Sequence, residues 1–108
     1  MDHSSSNLGL YLVTRTDRIG YDQYDSFVIC CKSEYEAKRT HPYEVYFYDE
    51  SERKWYTPSK NIIGEREYDD PRVWINGNFI DYLNVKFIGK ADSTIKEGEI
   101  IISSFNAG

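Results

Sequence analysis

The sequence lacks any long apolar run. Its 108 residues contain no stretch that approaches the roughly 18–20 apolar residues needed to span a bilayer. The polar start MDHSSSN also lacks the apolar centre of a signal peptide. We therefore expect a cytoplasmic protein with no membrane partner.

Cysteine is scarce, and the common metal-binding and phosphate-binding motifs are missing. The two cysteines, Cys30 and Cys31, are adjacent, and on a strand they would point to opposite faces, so we expect no disulfide between them. Without a C-x-x-C spacing, these cysteines and two scattered histidines do not make up a zinc site. The glycines are isolated rather than clustered as in a phosphate-binding loop. We expect no metal and no cofactor.

Positive charge is also limited. Thirteen Lys and Arg face eighteen Asp and Glu, which gives a net charge of -5. This field repels phosphate backbones, and no basic patch offsets it, so duplex nucleic acid is not an expected partner. Aromatic residues, by contrast, make up 16% of the chain, including ten Tyr, and argue against disorder. The length suits one domain.

The first half of the chain carries clear strand and helix patterns. LGLYLVT (8–14) alternates like a strand, and SFVICC (26–31) predicts a second strand, with a connection of about eleven residues between them. Ser33 and Glu36 have the spacing of a capping box, which predicts a helix over 34–40 that ends before Pro42.

The second half predicts further strands. YEVYFYD and KWYT favour a Tyr-rich ribbon over 43–56, and GEREYDDP (64–71) is typical of a surface loop. Asn76-Gly77 between apolar runs indicates a hairpin turn, and strands are expected over 84–89 and 98–105. The predicted fold class is α+β, with a mainly antiparallel sheet of about five to seven strands and one short helix. A mobile tail (1–7) precedes a single domain (8–108) that includes a Tyr-rich, acidic insertion (43–83).

The long connection after the first strand is the best candidate site. Its three carboxylates, Asp17, Asp22 and Asp25, could divide acid and base roles, although Asp is also a common turn former. Tyrosine rings can stack on a ligand ring, and arginine can grip phosphate or carboxylate. Catalysis, ligand contact and a purely structural turn therefore all stay open from the residues alone.

The closing segment SSFNAG can supply a second wall for this site. An apolar strand runs directly into Ser104 and Asn106, so we expect the end of the chain to be packed, and a position beside the first strand would bring it to the connection. The predicted ligand-binding residues are Arg15, Arg18, Tyr21, Tyr24, Asp25, Ser104 and Asn106. No residue is predicted to be catalytic.

Cys31 and His41 invite a second hypothesis, in which imidazole activates a thiolate. No third group that would orient the histidine is identifiable. A core cysteine and a histidine at the end of the helix, where a cation is favourable, form the simpler interpretation.

Three stretches of the chain resemble a group of small phage and prophage proteins. Those proteins combine a Y-D-x-Y-D-S loop, an S-E-x-E-A-x-R helix that ends in H-P, and a terminal S-F-N-A-G, and the similarity covers roughly residues 10–42 and 84–108. Residues 43–83 depart from the pattern. The resemblance implies a small accessory protein in an infected bacterium, where such proteins often blunt host defences, and it implies no mechanism.

These observations lead to three hypotheses in order. The first is a non-enzymatic protein that sequesters a small anionic, nucleotide-like ligand between the connection and the C-terminal segment. The second is an inhibitor that binds a host defence or metabolic protein through the Tyr-rich ribbon, because Tyr and Trp are favoured interface anchors. A small enzyme that uses the Asp-rich connection is third. A homo-oligomer is compatible with all three.

Overall fold

The computed structural model of the protein describes residues 8–16, 23–43, 45–68 and 74–106, with only the backbone described for Gln23, Tyr68, Phe105 and Asn106. The described part is α+β, with two antiparallel sheets. The strands are β1 (Gly9–Thr14), β2 (Gln23–Cys31), β3 (Phe47–Asp49), β4 (Lys54–Pro58), β5 (Arg66–Tyr68), β6 (Asn84–Lys90) and β7 (Ile100–Asn106). The helices are α1 (Glu34–Lys38) and a 3₁₀ helix (Gly77–Tyr82). Neither helix is long and apolar enough to cross a membrane.

The larger sheet has the strand order β6-β1-β2-β7 and is antiparallel throughout. The predicted hairpin of the first two strands is confirmed, although β2 begins earlier than expected, which shortens the connection. Alternation along the strands divides the sheet into two faces. Val13, Phe27 and Ile29 are buried on one face, while Leu12 and Val28 on the other face keep partial exposure.

The core lies between this sheet and the second half of the chain. The side chains of Trp74 and Phe27 meet edge to face, with ring centroids 5.3 Å apart. Each of these large rings removes roughly 150–250 Å² from water. The buried cluster consists of Val13, Phe27, Ile29, Cys31, Ala37, Trp55, Trp74, Ile75, Ile80 and Leu83.

Helix α1 begins where the capping pattern predicts. The Ser33 hydroxyl accepts a hydrogen bond from the backbone N–H of Glu36 at 3.2 Å, and the Glu36 carboxylate accepts one from Lys32 N at 3.1 Å. In a standard capping box the carboxylate accepts from the backbone N–H of the cap residue, which is Ser33 here. In this helix it accepts from the residue before the cap instead. The helix ends at Lys38, two residues before the predicted end, and a turn through Thr40 leads to Pro42.

The second sheet has the order β3-β4-β5, and its first hairpin confirms the predicted ribbon. The prediction of a plain surface loop over 64–71 is wrong in part, because Arg66–Tyr68 forms the third strand. Tyr56 on the central strand lies opposite Phe47 on one side and Tyr68 on the other. Part of the acidic segment therefore belongs to the sheet because it pairs with β4.

The hairpin turn predicted at Asn76-Gly77 is wrong. The Asn76 side chain accepts a hydrogen bond from Asn78 N at 2.9 Å and caps the 3₁₀ helix. Gly77 has no positive φ, and a Cβ placed on it would lie 2.5 Å from the carbonyl oxygen of Arg53. The glycine therefore permits close backbone approach rather than a turn.

The closing segment is paired, but not where the sequence led us to expect it. Strand β7 lies beside β2 and not beside β1, whose second neighbour is β6. Ser104 lies opposite Ser26, and the backbone of Asn106 lies opposite Gln23. The C-terminal segment therefore still lies at the end of the sheet from which the first connection leaves.

Candidate functional site

The predicted ligand site is only partly described. Arg18 and Tyr21 lie outside the described residues, as do Asp17 and Asp22, and the side chain of Asn106 is not described. Arg15, Tyr24, Asp25 and Ser104 are placed by β1, β2 and β7 at one end of the large sheet.

Arg15 and Tyr24 make contacts inside the protein. Arg15 is only 7% exposed, and its guanidinium lies 5.7 Å from the centroid of the Trp74 ring. It also donates a long hydrogen bond of 3.5 Å to the carbonyl oxygen of Tyr24. Tyr24 itself packs against the core. These contacts give both side chains a structural role, and their role in binding stays a prediction.

Ser26 and Ser104 border a small cavity, and Asp25 precedes Ser26 in the chain. The register skips Asp25 between Tyr24 and Ser26, and the Asp25 carboxylate accepts a hydrogen bond from the Ser26 hydroxyl at 2.9 Å. Ser104 is exposed opposite Ser26, and both line a cavity of about 180 Å³. Small-molecule sites usually enclose about 300–1,000 Å³. The described part of this cavity is smaller than a nucleotide site requires.

A larger groove lies beside the ribbon. It measures about 490 Å³, and we call it the ribbon groove. Its walls come from three segments: the end of α1, the ribbon, and the turn before β7. The lining residues are Arg39, Thr40, His41, Tyr46, Phe47, Tyr48, Lys96, Glu97, Gly98, Glu99 and Ile100.

The charges around the ribbon groove largely balance. Arg39 and Lys96 face Glu97 and Glu99 in the lining. The Arg39 guanidinium forms an ion pair with Glu50, which holds the pKa of Glu50 below its usual range. The same guanidinium stacks on the ring of Tyr35 at 3.6 Å. Of the two cations in the lining, Arg39 is therefore already paired with a carboxylate.

Aromatic side chains continue from the groove onto the second sheet. The Phe47 and Tyr56 rings lie across from one another on β3 and β4, with centroids 5.8 Å apart. The Arg66 guanidinium lies 4.1 Å from the centroid of Tyr56. The Arg66 side chain also donates a hydrogen bond to the Asp49 carboxylate on β3 at 2.6 Å, and this bond fixes the position of its guanidinium beside Tyr56. We call Phe47, Tyr56 and Arg66 the aromatic row.

Two buried groups with catalytic potential are engaged elsewhere. Burial raises the pKa of the Cys31 thiol to about 11, and the thiol donates to the carbonyl oxygen of Ser33 at 3.3 Å. His41 accepts a hydrogen bond from Tyr43 N at Nδ1, and its ring packs against Tyr46 and Trp55. Cys31 is a core residue, as the simpler interpretation expected, and His41 lies just beyond the end of α1 but is buried as well. The described residues contain no group of three or more potential metal ligands.

Sequence reasoning missed half of the ribbon groove. The ribbon itself was predicted from its tyrosines, whereas Lys96 and Glu97 fell between the last two predicted strands, and Gly98 and Glu99 fell at the start of the last one. No local pattern marks these residues, because their place beside the ribbon depends on the pairing of β7 with β2. The one available signal was the position of Arg39 and His41 at the predicted helix end.

Comparison with protein families, curated proteins and solved structures finds no match to this chain.

Proposed function

We propose that this chain is a non-enzymatic protein-binding protein that contacts its partner through the ribbon groove and the aromatic row. The observation that carries the proposal is the position of Phe47. Its side chain is 51% exposed, borders the groove and begins the row. Exposed aromatic and arginine side chains around a concave centre are the usual anchors of protein interfaces.

The charge balance supports a protein partner over a small anion. An anionic ligand in the ribbon groove would have to displace Glu50 from Arg39 and tolerate Glu97 and Glu99 nearby. A protein side chain that inserts between Tyr46 and Phe47 needs no net charge. The mixed charges at the rim then suit the polar margin of an interface.

The resemblance to phage proteins supplies the setting of the proposal. In that setting the partner is a bacterial defence or metabolic protein, and the chain acts by occluding its surface. The ribbon belongs to the region that departs from the phage pattern, so the partner would be particular to this chain rather than common to the group.

Phe47→Ser tests the proposal, with Phe79→Ser as a matched control. Phe79 is also 51% exposed and also stacks on a tyrosine, Tyr82, at 6.2 Å. Tagged wild type and both variants are expressed in the bacterial host, crosslinked and quantified by mass spectrometry. The partner is then purified, and its binding to each chain is measured by calorimetry.

We expect one host protein to be recovered with wild type and Phe79→Ser, and its affinity to fall by roughly tenfold or more for Phe47→Ser. Equal affinity for all three chains would show that the ribbon is not the contact. Folding of each variant is checked by circular dichroism.

A second candidate function is sequestration of a small anionic, nucleotide-like ligand at the end of the first hairpin. The pairing of β7 with β2 favours it, because Ser104 lies opposite Ser26 next to Asp25. Calorimetry with a panel of cyclic nucleotides tests it, with Ser104→Leu as the variant and Ser93→Leu in an exposed turn as the control. This candidate is rejected if the wild type binds none of the nucleotides, or if Ser104→Leu binds them with the same affinity as Ser93→Leu. A small enzyme that uses the Asp-rich connection stays the third hypothesis.

A further inference from the structure

The two edge strands of the large sheet differ in how they are protected against pairing. Strand β6 carries Lys86 and Lys90, a register shift and the positive-φ residue Gly89. Lysines and irregular backbone are the usual means by which proteins protect exposed edges. Strand β7 has neither charge nor proline from Ile100 to Asn106. Its pairing with β2 has a register shift near each end, and the stretch 102–104 between the two shifts is regular.

At this edge, the backbone of β7 presents hydrogen-bonding groups that bond to no other described residue. Cys30 N donates to Glu99 O at 3.0 Å, and Cys30 O accepts from Gly98 N at 2.7 Å, so the backbone of Cys30 faces β7. Alternate residues of a strand bond to the same neighbour, so Val28 also faces β7 and its partner Ile102 faces back. The N–H and C=O of Ser103 therefore point away from the sheet.

An apolar groove runs along the same edge. It measures about 410 Å³ and is lined by Pro42, Tyr43, Val45 and residues 100–103. Ile102 is 65% exposed, and Tyr43 and Val45 are about half exposed. This β7 groove and the ribbon groove share Ile100 and are otherwise lined by different residues.

We propose that the β7 edge pairs with the β7 edge of a second copy of this chain. Two antiparallel copies related by a two-fold axis would join their four-stranded sheets into one sheet of eight strands. The self-pairing is compatible with the net charge of -5, because the segment Ile100–Asn106 is uncharged and places no like charges opposite one another.

The exposed area is of the size that such a dimer needs. The exposed parts of Tyr43, Val45, Ile101 and Ile102 amount to roughly 350 Å² per copy, if about half of each side chain is counted. Two copies contribute roughly 700 Å² of side-chain surface, to which the backbone of the paired strands adds, and this is the size of a weak dimer that forms as the concentration rises.

Sedimentation velocity over a concentration series tests the proposal with two variants and one control. Ser103→Pro removes an outward N–H, a position at which an edge strand accepts proline. Ile102→Lys gives each copy one ammonium group, and in the dimer the two groups would lie on the same face of the joined strands and repel each other. Ile63→Lys is the control, because Ile63 is fully exposed in the turn between β4 and β5 and does not line the β7 groove.

We expect wild type and Ile63→Lys to form dimers, and the dimer dissociation constant to rise by roughly tenfold or more in Ser103→Pro and Ile102→Lys. A wild-type chain that stays monomeric at every concentration overturns the proposal, even if it binds strands of other proteins. A dimer whose affinity is unchanged in both folded variants overturns it as well. Neither variant touches Phe47, so failure here is distinguishable from failure of the proposed function.

Discussion

Arg15 lies over Trp74, with its guanidinium carbon 5.7 Å from the ring centroid, in a part of the protein where both side chains are buried. A desolvated cation on an aromatic face stabilises by roughly 2 kcal/mol, and the aliphatic part of arginine adds packing. The contact ties the end of β1 to the segment before the 3₁₀ helix.

We expect Arg15→Ala to lower the free energy of unfolding by about 1–3 kcal/mol. A ligand contact on the surface would be replaced with little effect on stability, and the burial of Arg15 is the reason for the different expectation. Thermal melts measure the effect, with the exposed Lys86→Ala as the control. Equal melting temperatures for the two variants would contradict a structural role for Arg15.

Gly77→Ala should also destabilise the protein. The added Cβ would lie 2.5 Å from a backbone oxygen of Arg53, and backbone cannot move aside as the end of a flexible side chain can. Overpacking of this kind costs about 1–3 kcal/mol. Urea denaturation provides the measurement, with Asn78→Ala at the next, exposed position as the control. A cost no greater than that of the control would mean that the segment adjusts freely.

The Asp49 carboxylate should make stability depend on acid pH. Hydrogen bonds from the Ser51 hydroxyl and the backbone N–H groups of Ser51 and Glu52, with Arg66 nearby, hold the pKa of Asp49 below its ordinary value. Because the folded pKa is lowered, this contribution is present above the unfolded value of about 4 and is lost as the pH falls through the folded pKa.

Asp49→Asn should therefore flatten the loss of stability below about pH 4 and lower stability at neutral pH. Denaturant melts at several pH values measure both effects, and Glu67→Gln in the exposed part of β5 is the control. If Asp49→Asn lost stability below about pH 4 as steeply as the wild type, other carboxylates would be responsible for the pH dependence.

The two cysteines should react slowly in the folded protein. Burial is the main cause that raises the pKa of both thiols, to about 11 for Cys31, so little thiolate forms near neutral pH. We expect an aromatic disulfide reagent at pH 7.5 to modify both thiols only after denaturation. Fast modification of a native thiol would contradict the packing described for these residues.

Removal of residues 105–108 should destabilise the protein more than removal of residues 1–7. The backbone of Phe105 and Asn106 pairs with Tyr24 and Gln23, so the deletion shortens β7 and uncovers the end of β2. Each kcal/mol lost should lower the melting temperature by about 4–8 °C in a small domain. Equal melting temperatures for the two truncations would show that the last strand pairs contribute nothing to stability.

The sequence by itself determined the local elements. Alternation specified β1, because a strand with one buried face repeats every two residues, and the aromatic and β-branched residues of SFVICC specified β2. Ser33 and Glu36 specified the start of α1, because capping depends only on residues within one turn. The pattern of tyrosines likewise predicted the paired strands of the ribbon.

Only the tertiary structure decided the sites. Asn76-Gly77 favours a hairpin turn locally, but the approach of Arg53 to Gly77 places a 3₁₀ helix there instead. Arg15 has the chemistry of a phosphate contact, yet packing over Trp74 buries it. The ribbon groove and the open edge of β7 both depend on β7 lying beside β2, and strand order is a long-range choice that no local pattern encodes.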